Sequence, residues 1–161
     1  MAIIRVKDAE ICLLTSEPKH IPPGLRGPGR VMPVRNGHYL RSFDVAAPSG
    51  NEFVIKIRQT VTSPTNFSVI LGYKMPGTYS VFRLRRYNGK HTHTNHLEGE
   101  KFHNFHVHIA TERYQKAGWD EESFAQETNL HYDVNSAIEC LLNDCGFIRS
   151  NAELPLFRDQ P

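Results

Sequence analysis

Hydrophobic and polar positions change their rhythm along the chain. From residue 38 to about 110 the apolar residues recur in short β-branched and aromatic runs: YLRSFDVA (39–46), EFVIKIRQT (52–60), NFSVILGY (66–73) and YSVFRLRRY (79–87). Turn signals such as Pro-Ser-Gly and Met-Pro-Gly separate them, which is the pattern of strands in an antiparallel meander. Asn88-Gly89 is a hairpin signal, because a type I′ turn needs positive φ at both central residues. It predicts that KHTHTN (90–95) returns antiparallel to the strand before it, with FHNFHVHIA (102–110) as a further strand. Beyond residue 110 the period lengthens. Asp120 is placed to cap a short helix, EESFAQET, and Asp133 to cap VNSAIECLLNDC, which Gly146 ends. Val134, Ala137, Ile138, Leu141, Leu142 and Cys145 fall at helical spacing and make one apolar stripe. The predicted class is α+β, a bent antiparallel sheet of about five to six strands with a C-terminal helix packed on one face.

Length fits this picture. A chain of 161 residues is expected to form a single domain, 1–161, and one of that size buries about 70% of its unfolded surface without staples. Residues 16–37 form a Pro/Gly-rich basic loop, 38–110 the sheet, 111–146 a helical region and 147–161 a tail. No apolar run approaches the ~20 residues of a membrane span, and charges interrupt the N-terminal MAIIRVKDAEICLLTS too early for a signal peptide. The three cysteines are few and odd in number, which suits a reduced chain better than a disulfide framework. No membrane partner and a cytoplasmic setting are therefore expected.

Charge alters the picture more than composition does. The net charge is only +2, yet residues 1–90 hold fourteen Lys/Arg against five Asp/Glu, and residues 112–144 hold two basic against eight acidic residues. Either the basic part faces phosphates, or the two parts attract one another within the fold. Arg26, Arg30 and Arg35 make the loop a flap over a ligand, an arm to a partner, or an irregular surface connection.

Candidate chemistry lies in HTHTNHLEGEKFHNFHVH, which holds six of the nine histidines, from His91 to His108. Strand alternation puts His103, Phe105, Val107 and Ile109 on the core face and Asn104, His106 and His108 on the open one. His106 and His108 are thus expected side by side and outside the core. His91 and His93 share a face of their own strand. A two-residue turn at Asn88-Gly89 pairs Arg86 with His91 and Leu84 with His93, and a bulge reverses the faces. Either register brings Arg83, Arg85, Arg86 and Tyr87 within reach of His91 or His93.

Two chemistries suit such a cluster. In metal binding, H-x-H supplies two imidazoles at one height and a carboxylate completes a facial set for Zn, Fe or Mn. His91, His93 and Glu98 read H-x-H-x4-E, which resembles the first metal motif of the cupin family, without its flanking glycines or its second motif. In metal-independent phosphodiester cleavage, histidines act as base and acid while arginines stabilise the phosphorane charge. That reading needs no cofactor. Its catalytic set is His91, His93, His106, His108, Arg86 and Tyr87. Arg83, Arg85, Asn104 and Tyr114 would bind the substrate.

RRYNGKH followed by FHNFHVHI resembles the signature of the TumE-like toxins of bacterial toxin–antitoxin pairs, with Arg86, Tyr87, His91, His106 and His108 at the matching positions. The resemblance implies a small α+β fold, RNA as the target and a cognate antitoxin as partner. RYNG, HTN and HVHIATERYQ also look like segments of an uncharacterised family of small bacterial and phage proteins. Three functions thus stand beside one another: a toxin-like or nuclease-like enzyme, a metal-binding protein, and a phage or defence-associated module that captures a protein partner through the basic loop. Of the remaining residues, Trp119 is expected to anchor packing, Cys140 to be an inert thiol and His131 to lie at the surface.

Overall fold

The computed structural model describes residues 5–26 and 34–149. The main sheet contains β2 (Val34–Arg35), β3 (His38–Ala46), β4 (Glu52–Thr60), β5 (Ser63–Lys74), β6 (Val81–Asn95), β7 (Glu100–Ile109) and β8 (Phe124–Glu127), in that spatial order and antiparallel throughout. A second, two-stranded sheet pairs β1 (Lys19–His20) with β9 (Phe147–Ile148) in parallel. Among the described residues there are three helices: α1 (Asp8–Ser16), α2 (Glu112–Lys116) and α3 (Val134–Asp144). The class is α+β, and among the described residues no helix is long and apolar enough to cross a membrane.

One sheet face is the core. Phe53, Ile55 and Ile57 of β4, Phe67, Val69 and Leu71 of β5, and Phe82, Leu84 and Tyr87 of β6 meet Ile11 and Leu14 of α1 and Ala137, Ile138, Leu141, Leu142 and Cys145 of α3. The stripe read from the sequence is the buried face of α3, and each large aliphatic residue on it contributes about 1.5–3 kcal/mol by leaving water. Asp133 caps the helix through a reciprocal box with Ser136, and Gly146 ends it at φ 75°. Where α1 and α3 end, the buried Lys19 Nζ donates to the carbonyls of Thr15, Glu17 and Cys145 at 2.8, 2.9 and 2.8 Å. Its burial pulls the ammonium down to about 8.

Three expectations are corrected. Asn88-Gly89 does not turn: β6 continues through it to Asn95, and the reversal falls at residues 96–99. The ladder to β7 shifts register between Asn88 and His91. Gly89 is required there for space, because a Cβ would stand 1.9 Å from the Thr65 carbonyl oxygen. The same dipeptide does turn at Asn36-Gly37, where φ is 51° and 76° and β2 folds back on β3. Second, Asp120 caps no helix, since FAQE pairs with β7 as the edge strand β8. Third, a helix, α1, forms where the sequence pattern predicts no element. Within the basic loop, Arg26 pairs with Glu139 at 3.1 Å, whereas Arg30 lies outside the described residues.

Candidate metal centre

β6 and β7 bring four histidines together on the face opposite α3. His91 and His93 come from the end of β6, His106 and His108 from β7, after the register shift turns the β6 pair toward its neighbours. Ring centroids are 4.7 Å apart for His91 and His106, 5.4 Å for His93 and His106, 4.7 Å for His93 and His108, and 4.9 Å for His106 and His108. The alternation in FHNFHVHIA places His106 and His108 on the face expected. They are not open to solvent, however: His106 is 0% and His108 7% exposed, and the Glu122 carbonyl lies against His108.

Each of three rings has one nitrogen bonded to an oxygen that can only accept. His106 Nδ1 donates to the Asn104 carbonyl at 2.6 Å, and His108 Nδ1 to the Glu122 carbonyl at 2.7 Å. His93 Nε2 donates to Asn95 Oδ1 at 2.8 Å. The Asn95 amide is itself oriented, since Oδ1 accepts from Ala125 N at 2.9 Å and Nδ2 donates to Ala125 O at 2.8 Å. These partners assign the protons, so the lone pairs belong to His93 Nδ1, His106 Nε2 and His108 Nε2. One ligand atom from each of the three residues lies within 4.8 Å of the others. Tetrahedral nitrogens about 2.1 Å from a cation stand roughly 3.4 Å apart, closer than the 4.8 Å span of this trio. His108 Nε2 is buried with no partner. His106 Nε2 has only the Asn88 amide nitrogen at 3.5 Å.

Burial also fixes their charge. Desolvation, reinforced by neighbouring imidazoles, holds His106 near pKa 4 and His108 near 2, although each donates to a carbonyl. Desolvation followed by His93, Arg86 and His103 lowers His91 as well. His91 stands beside the trio, with its Nδ1 buried and unpartnered.

The arginines nearest the histidines are already paired. Arg86, opposite His108 in the ladder, donates to Glu122 Oε1 at 2.7 Å, and Arg83 reaches the same oxygen at 2.9 Å. Arg83 also holds Glu121 at 3.1 Å. The basic and acidic parts of the chain therefore meet here. Burial raises Glu122 against the pull of Arg86 and Arg83, and its Oε2 has no partner. An open cleft of about 610 Å³ leads from His93 and His108 past Arg83, Arg86 and Glu122 to Trp119. Trp119 is no buried anchor: it is 43% exposed and stacks on His96 with centroids 4.1 Å apart.

Other predicted residues lie elsewhere. Tyr87 is buried on the α3 face, where its hydroxyl donates to Asp144 at 2.7 Å. Arg85 is on that side too, close enough to Cys145 to lower its thiol, although burial dominates and raises it to about 11. Tyr114 is fully buried and donates to Glu98, which also pairs with Arg113, so the carboxylate of the H-x-H-x4-E motif is not in the cluster. The Asn104 side chain donates to Glu127 at 3.0 Å, and only its carbonyl serves the site. His131 is buried, not at the surface, with Nε2 donating to the Asn88 carbonyl at 2.7 Å. Burial raises the Cys140 thiol, in keeping with an inert role.

Asn95 and Glu122 were not singled out from the sequence. Asn95 carries a signal, being two residues beyond His93 on the same strand face. Comparison with protein-family models, curated proteins and solved structures found no match.

Proposed function

We propose that the chain is a metal-dependent protein whose centre is His93, His106 and His108, and that the open cleft makes this centre hydrolytic. The observation that carries the reading is a trio of histidines that offer one ligand atom each within 4.8 Å of one another, with one nitrogen of every ring bonded to an oxygen acceptor. Acceptors behind ligating histidines set both tautomer and orientation. An all-imidazole set suits zinc or iron better than the harder manganese. Three neutral ligands also leave a divalent cation its full charge, which favours an anionic substrate. Such a cation supplies a polarised water at neutral pH. Glu122, whose buried Oε2 has no partner and whose Oε1 is held by Arg83 and Arg86, would be the residue to take up a proton beside such a centre.

The substrate class in this proposal is a phosphodiester, with RNA and a cognate antitoxin entering through the resemblance to TumE-like toxins. Metal-independent cleavage by His106 and His108 requires one imidazole charged near neutrality, and the burial that holds them near 4 and 2 supports the metal reading instead.

Elemental analysis of untagged protein after loading with zinc or iron(II) tests the proposal. About one metal ion per chain is expected, falling to background in His93→Ala, His106→Ala and His108→Ala. Substoichiometric metal in the folded wild type sinks it. RNA cleavage that survives chelation would return the metal-independent mechanism.

A further inference from the structure

The histidine cluster lies at one end of a longer feature. Strand register places Ser42, Lys56, Ile70, Arg86 and His108 in one row across β3 to β7, and Leu40, Arg58, Ser68, Asn88 and His106 in the next. Both rows belong to the face opposite α1 and α3. At about 4.8 Å per strand, Lys56 and Arg58 stand three strands, roughly 14 Å, from His108 and His106.

Depressions follow these rows. The metal cleft shares Arg83 and Arg86 with a hollow of about 320 Å³, that hollow shares Lys56 and Ile70 with one of about 370 Å³, and the last shares Arg58 with one of about 210 Å³. No acidic residue lines the three outer hollows, whereas Asp120 and Glu122 line the metal cleft. Lys56 and Arg58 are exposed, and neither is in an ion pair among the described residues. Arg58 donates to His38 Nε2 at 2.7 Å, an imidazole nitrogen that leaves the guanidinium charge uncompensated.

We infer that this face is the binding track of a single-stranded nucleic acid, with backbone phosphates on Lys56 and Arg58 and a phosphodiester further along the strand delivered to the histidine end. Side chains two residues apart on a strand stand roughly 7 Å from each other, so the two cations address separate phosphates. Ser42, Thr60, Asn66 and Ser68 beside them are the uncharged types that bond phosphate and sugar oxygens. An acidic peptide fits less well, because extended peptides bind by adding a strand to a sheet edge, and β4 and β5 are paired on both sides. Of the two rings lining the outer hollows, Phe67 is buried and His38 is engaged by Arg58. Binding is therefore through phosphates rather than base stacking, independent of sequence and strongly salt-dependent. The track rests on the metal-centre proposal only for where the cleaved bond sits.

Fluorescence anisotropy with a labelled oligouridylate and chelated protein tests the inference. Micromolar or tighter binding at low salt is expected, with Lys56→Gln/Arg58→Gln weakening it about tenfold or more and reducing the salt slope by about 1.4, two phosphates at ~0.7 each. Both positions are exposed, so an unchanged thermal melt certifies the variant's fold. Metal uptake by the same wild-type preparation is measured separately. That separates the two proposals: normal binding by a chain that never takes up metal removes only the delivery of a bond to the histidines. Three results overturn the track: no oligomer binding at low salt, equal binding by the double Gln variant, or displacement of the oligomer by an equal charge of polyglutamate.

Discussion

Asn95 offers a sharp test of how the histidines are held. Its Oδ1 accepts from His93 Nε2 at 2.8 Å and from Ala125 N at 2.9 Å, and its Nδ2 donates to Ala125 O at 2.8 Å. Asn95→Ala frees the His93 ring and leaves two main-chain groups of the buried Ala125 without partners. Loss of an acceptor behind a ligating histidine costs 10–100-fold in metal affinity, about 1.4–2.7 kcal/mol. The two orphaned groups cost about 1–3 kcal/mol each, so the apo protein should lose roughly 2–6 kcal/mol of a total near 5–15. Asn95→Asp separates the effects. It keeps both acceptor roles and strengthens the one toward His93, but sets a carboxylate oxygen against the Ala125 carbonyl. Calorimetric zinc titration and urea unfolding of the apo proteins read the two quantities independently. The Ala variant should be weak in both, while the Asp variant should be destabilised yet bind zinc at least as tightly as wild type. A folded Asn95→Ala protein with undiminished zinc affinity would falsify the argument that hydrogen-bonded tautomers make this a metal site.

Two further outcomes follow from burial and packing. His106 and His108 are depressed below the ordinary imidazole value, so the unfolded chain binds protons that the native apo protein refuses. Their contribution is fully present above about pH 6.5 and is lost as pH falls toward 4, each proton steepening the decline by about 1.4 kcal/mol per pH unit; urea midpoints of chelated protein that stay level from pH 7 to 4 would contradict this. Gly89→Ala drives a methyl group into the Thr65 carbonyl and should cost about 3 kcal/mol or more, which equilibrium unfolding measures, whereas a neutral effect would mean that β5 and β6 part easily.

Local chemistry made some of this readable in advance. Asp133, Gly146 and the stripe between them specify α3 without outside help, and alternation in FHNFHVHIA assigned His106 and His108 to the correct face. Tertiary pairing hid the rest. Asn-Gly at 36–37 turns because the two-residue β2 folds back there on β3, whereas at 88–89 the chain runs on between β5 and β7, and ladders on both sides outweigh a local preference of the order of 1 kcal/mol. EESFAQET carries helix-like start signals, yet Phe124 and Ala125 gain partners on β7. The surroundings of His108 and His131 depend on segments 14 and 43 residues away in sequence, beyond any window of periodicity. Asn95 and Glu122 matter through an amide and a peptide oxygen facing particular atoms, which residue type alone does not disclose.

The continuity of β6 through Gly89 bears on how the centre assembles. All three imidazoles belong to one hairpin, His93 and His108 being fifteen positions apart across a four-residue reversal, and hairpins close in about 1–10 μs. Glu122, whose carbonyl steadies His108, arrives only when the later chain docks. The ligands thus gather before their supports do, and a partly folded chain already has some hold on a cation. Because any affinity of the non-native chain subtracts from the gain of the native one, metal will raise the midpoint of unfolding by less than its affinity for the finished protein implies, while accelerating closure of the hairpin.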